Sequence, residues 1–76
     1  MNKVRRKRLE ALLEKIEEVK DLLEEVKDEE QEAMDNMPES LQGSERYEAM
    51  EEAISNMESA MDSLDEAVSS IEEAME

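Results

Sequence analysis

The chain has 76 residues and a formal net charge of −15, from 24 acidic and 9 basic side chains. It holds no Cys, His, Trp or Phe, and one Gly and one Pro. That excludes a disulfide framework, a thiolate metal site and catalysis by Cys or His, and a globular core at this length is marginal. Glu-x-x-His pairs for a di-metal bundle, an EF-hand loop and a Gly-rich phosphate loop are missing too. The serines Ser55, Ser59, Ser63, Ser69 and Ser70 have no base beside them. No catalytic residue, metal ligand or cofactor is therefore expected. No apolar run approaches the roughly 18 residues of a membrane-spanning helix. The basic N-terminus lacks the apolar run and cleavage site of a secretory signal. The expectation is a cytoplasmic protein without membrane contact.

In chain order, the first element is a long helix over about residues 3–36, with Asn2 as its N-cap. Leu9, Leu12, Ile16, Val19, Leu23 and Val26 step by 3 and 4, and the pattern continues through Glu30 to Ala33 and Met37. This heptad spacing keeps one stripe facing a partner. Leu13, Leu22 and Met34 widen the stripe. Glu30 occupies an a position, where an apolar residue is expected. The remaining faces are rich in Glu and Lys, which favour helix.

A connector follows over about residues 37–44. Pro38 disfavours helical geometry in the residue before it. It can open one short turn ending at Gly43, a natural left-handed stop. Leu41 is the apolar residue there, placed to plug the end of a hairpin. Ser44 caps the next helix and Glu45 complements its dipole.

The second helix is predicted over about 45–75. Its seam is Tyr47, Met50, Ile54, Met57, Met61, Leu64, Val68, Ile71 and Met75, an unbroken alternation of 3 and 4. Ala53, Ala60, Ala67 and Ala74 fill the g positions, and Glu51, Glu58, Asp65 and Glu72 fill the e positions. The internal methionines Met34, Met37, Met50, Met57, Met61 and Met75 read as core filling, since Met adapts to irregular gaps.

Two long helices and a short connector predict an antiparallel hairpin. Pairing a with d gives the layers Leu12–Met75, Ile16–Ile71, Val19–Val68, Leu23–Leu64, Val26–Met61 and Glu30–Met57, with a one-heptad slip as the alternative. Lys20 and Lys27, at e, then face the acidic e row of the second helix. The surplus apolar surface consists of Leu9, Leu13 and Leu22 with Ala53, Ala60, Ala67 and Ala74. It is expected to form an oligomer seam, because a lone hairpin would leave it in water. The fold expected for residues 1–76 is thus all-α: one helical-hairpin domain that dimerises into a four-helix bundle.

The strongest local anomaly is the basic cluster Lys3, Arg5, Arg6, Lys7 and Arg8. Cations at a helix N-terminus oppose its dipole, so helix propensity did not put them there. One reading has them neutralise Glu72, Glu73 and Glu76, which the hairpin brings alongside. The other is a phosphate or nucleotide contact. Residues 9–76 hold 24 acids and four bases, net −20, a body that repels polyanions. Its acidic faces serve solubility or mimic nucleic acid toward a basic host protein.

The segment Asp28-Glu29-Glu30-Gln31-Glu32-Ala33-Met34-Asp35-Asn36-Met37-Pro38-Glu39-Ser40-Leu41-Gln42, with Ser44-Glu45-Arg46 and Met50, resembles small acidic proteins of Firmicutes phages and prophages. In those proteins Phe and Leu stand where this chain has Met34 and Met37. The resemblance implies a phage setting and carries over no functional residue. A sequence-specific connector in a repetitive chain marks Asn36, Pro38, Glu39, Leu41 and Gln42 as a hairpin cap or a recognition site. The function expected is a non-enzymatic accessory protein acting through protein–protein contact, with a second copy as first partner. The alternative is an anti-defence inhibitor: a nucleic-acid mimic, or a nucleotide sponge using Lys3–Arg8.

Overall fold

The computed structural model describes residues 1–76. The chain forms two long helices joined by a short turn, in a rod of 59 × 15 × 12 Å. Helix α1 spans Lys3–Asp35 and α2 spans Glu45–Ala74, with a 3-10 turn at Glu39–Leu41 between them. Both helices begin on a side-chain cap, which satisfies an otherwise orphaned N–H. The Asn2 side chain accepts from the Arg5 N–H at 2.9 Å. The Ser44 hydroxyl accepts from the Tyr47 N–H at 3.2 Å.

α1 stops because Pro38, extended at φ −58° and ψ 146°, has no N–H to continue the ladder. The connector then closes on its own backbone. The N–H of Leu41 donates to Pro38 O at 2.9 Å, that of Gln42 to Glu39 O at 3.2 Å, and that of Ser44 to Leu41 O at 3.1 Å. Gly43 supplies the left-handed step, with φ at +90°. Leu41 does not plug the hairpin end. It is 47% exposed, because its turn is held by backbone groups and leaves the side chain facing water.

The two helices pack side by side along their length. α2 presents its expected seam: Met50 and Ile54 are buried, and Tyr47, Met57, Met61, Leu64, Val68, Ile71 and Met75 are half-buried. The register follows from Lys20, which hydrogen-bonds and ion-pairs with the Asp65 carboxylate. A one-heptad slip would have placed Lys20 beside Glu58 instead. Only the pairing in which Ile16 and Leu23 lie near Ile71 and Leu64 fits.

α1 departs from the expected layers. Its half-buried row is Leu9, Leu13, Ile16, Lys20, Leu23, Lys27, Glu30, Met34 and Met37, positions a and e. Leu12, Val19 and Val26, expected in the core, are 47%, 50% and 52% exposed. The Lys20 and Lys27 side chains are only 21% and 24% exposed. Relative to an a/d seam, α1 is rotated by about 50°, half the angle between neighbouring residues of a 3.5-residue turn. Lysine stems make this possible: four methylenes cover apolar surface while the ammonium stays at the rim. There Lys20 reaches Asp65 of α2 as expected, but Lys27 pairs with its neighbour Asp28 instead of the acidic e row. Leu12, Val19 and Val26 therefore lie at the edge of the layers expected with Met75, Val68 and Met61 and are not enclosed by them.

Candidate functional site

Two surfaces of α1 are left without a partner in the hairpin: its basic head and its outer apolar face. Head residues Lys3, Arg5, Lys7 and Arg8 are exposed and Arg6 is half-buried. The ion pairs of the molecule are Lys20–Asp65, Lys20–Glu17 at 4.0 Å and Lys27–Asp28 at 3.9 Å. None involves the head. The expected neutralisation by Glu72, Glu73 and Glu76 is thus not made, and the register shows why. With Lys20 beside Asp65, the last residue, Glu76, lies at the level of Leu9. Residues 3–8 overhang the end of α2 by about 9 Å, at 1.5 Å per residue. The Nε of Arg6 is buried without a hydrogen-bond partner. A shallow groove of about 230 Å³ lies between Met1, Arg5, Arg8, Leu9 and Leu12. A second hollow, of about 310 Å³, is lined by Lys3, Arg6, Lys7 and Glu10.

The apolar face follows from the rotation of α1. Turning a/e inward leaves d and g outward, and Leu12, Val19, Leu22 and Val26 lie there, with Leu22 62% exposed. Lys20–Asp65 places the e rows of both helices on one edge of the hairpin. In an antiparallel pair the g rows then share the opposite edge. Ala53, Ala60, Ala67 and Ala74 of α2 accordingly lie on the same side as the outer stripe of α1. Ala60 and Ala74 are exposed, and Ala53 and Ala67 half-buried. Of the expected oligomer seam, Leu22 and the alanines belong to this face. Leu9 and Leu13 do not: both are half-buried and belong to the row that meets α2. Leu12, Val19 and Val26 take their place. Their 3–4 spacing with Leu22 was present in the sequence, but the a/d assignment claimed the same residues for the interior.

Connector residues Asn36, Pro38, Glu39, Leu41 and Gln42 are all exposed. Their turn is fixed by backbone hydrogen bonds, so the side chains are free to meet a partner. Charge is unevenly placed along the rod. The open half, residues 1–18 and 67–76, holds six cations against seven acids. The loop half, residues 19–66, holds three cations against seventeen acids. One end is near neutral at −1 and the other is −14.

Lys20 is the residue whose titration is clearly displaced. Its pKa is raised above 10.5, first by the hydrogen bond to Asp65 and then by the charges of Asp65, Glu17 and Asp21. No group of three or more acidic side chains is placed to hold a metal ion, and no helix is long and apolar enough to cross a membrane. A scan against protein-family models and searches of curated proteins and of solved structures found no match to this chain.

Proposed function

We propose that this chain is a non-enzymatic interaction module, working as a homo-oligomeric acidic helical bundle in a phage or prophage setting. The carrying observation is the open face of Leu12, Val19, Leu22 and Val26, flanked by the alanine row of α2. The hairpin itself buries only Met50 and Ile54, and neither completely, so it has too little interior to spare four large apolar side chains to water. Burying one such side chain contributes about 1.5–3 kcal/mol, and association is the route to that gain. Alanines beside the stripe let a second backbone approach closely. The phage setting rests on the resemblance of the connector.

Sedimentation equilibrium at micromolar concentration tests this reading. The expected result is a species of twice 8.8 kDa or a higher even multiple. A well-folded helical monomer would overturn it. Association between protomers of charge −15 should also tighten with added salt, which screens their repulsion.

The unpaired, overhanging head favours a second reading, contact with a phosphate-bearing ligand such as a nucleotide. That binding would weaken with salt and be lost in the Arg5→Ala, Arg6→Ala, Arg8→Ala variant, read by titration calorimetry. Mimicry of nucleic acid by the acidic loop half would show differently, as capture of a basic host protein released by salt.

A further inference from the structure

We infer that two copies pair through the outer stripe of α1 in an antiparallel, two-fold contact, with their loops at opposite ends. This rests on the homo-oligomer proposed above and specifies its geometry. Read at steps of 3 and 4, the outer row is Arg5, Arg8, Leu12, Lys15, Val19, Leu22, Val26, Glu29 and Ala33. Arg5 and Arg8 occupy one end, and Leu12, Val19, Leu22 and Val26 the middle with Lys15 among them. Glu29 stands toward the other end, with Glu32 on the adjoining flank. Such a row is self-complementary only when reversed. An isologous contact demands that complementarity, since each residue meets the surface its own copy presents to the partner.

Centred between Glu18 and Val19, the reversed pairing sets Arg8 level with Glu29 of the second copy and Arg5 level with its Glu32. All four side chains are exposed, and none is ion-paired within the hairpin. The overhang that deprives the head of an internal partner carries it over the acidic segment of the other copy. In the middle Leu12 lies within one residue of the level of Val26 of the second copy, and Val19 within one residue of its own counterpart. Leu22 is level with Lys15, whose methylene stem can cover it; the alanine rows line the same side.

The charge of the whole rod points the same way. With loops at opposite ends, a −14 half lies beside a −1 half at each end. With loops together, two −14 halves would face each other, an arrangement that repulsion disfavours.

The chain has no cysteine, so Ser40→Cys gives one spin label per copy at the loop. Dipolar distance measurement on the dimer should read on the order of 55 Å, the helical rise from centre to loop counted twice. A distance below about 30 Å would overturn the opposed arrangement while leaving the dimer itself standing. A monomeric wild type would overturn both. A charge swap gives an independent readout. Arg5→Glu with Arg8→Glu, and Glu29→Lys with Glu32→Lys, should each weaken self-association by about tenfold or more. Mixing the two variants should restore a heterodimer of near wild-type affinity. Failure of the mixture to associate better than either variant alone would overturn the pairing.

Discussion

The two helices have nearly the same length and opposite characters. α2 carries one apolar stripe, and all of its large aliphatic residues are taken up by the hairpin. α1 carries two. Its inner row uses Leu9, Leu13, Ile16 and Leu23 and completes itself with the stems of Lys20 and Lys27. Its outer row, Leu12, Val19, Leu22 and Val26, meets water. A helix can satisfy its partner with a mixed apolar and lysine face, as Lys20 does by reaching Asp65 of α2, and the aliphatic residues of its outer row are then left open. The inner rows hold the hairpin; the outer row is left open to water.

That contrast can be broken most severely from the inside. Ile54→Ala removes a 6% exposed side chain and should cost about 2–5 kcal/mol, seen as a large fall in Tm by circular dichroism. If Val26→Ala proved equally costly at low protein concentration, the inner and outer rows would not be distinct. Val19→Ser combined with Leu22→Ser acts on the outer row. It should leave the helical spectrum intact and weaken self-association by about a hundredfold, measured by sedimentation.

Gly43→Ala sharpens the comparison by testing what orients the helices irrespective of either row. A Cβ there meets nothing within 4 Å, so the cost is backbone strain at φ +90°, about 1 kcal/mol, read from chemical denaturation. The smallest effect belongs to Lys20→Gln, at the edge where the inner row relies on a lysine. Lys20 has its pKa raised in the folded state, so its stabilisation is complete below the ordinary lysine value and lost as pH rises through the folded one. Wild type should exceed the variant in Tm at neutral pH, and the gap should close in strongly alkaline solution.

Much of this was legible in the residues themselves. Periodicity from Tyr47 to Met75 indicated α2 and its inner face, because a single apolar stripe admits one orientation. Asn2, Pro38, Gly43 and Ser44 marked where helices start and stop, each through a local backbone requirement. The orientation of α1 was not legible. Val19 and Val26 are more apolar than Lys20 and Lys27, and Leu12 equals Leu13, so hydropathy alone assigned the row of Leu12, Val19 and Val26 to the interior. Leu41 misled in the same way, as an apolar residue assumed to seek the core. The pairing of Lys3–Arg8 with Glu72, Glu73 and Glu76 did not form because the register that the heptads indicated sets Glu72 and Glu73 about two turns away from the head.

The sequence by itself determined two capped helices, a short turn between them and a heptad seam along α2, because caps, proline geometry and 3.5-residue spacing act over one or two turns of chain. Only the tertiary structure decided which face of α1 turns inward, how far the head overhangs and which side chains are left open. Those depend on the reach of Lys20 to Asp65, forty-five residues away, a contact that exists only once both helices lie side by side.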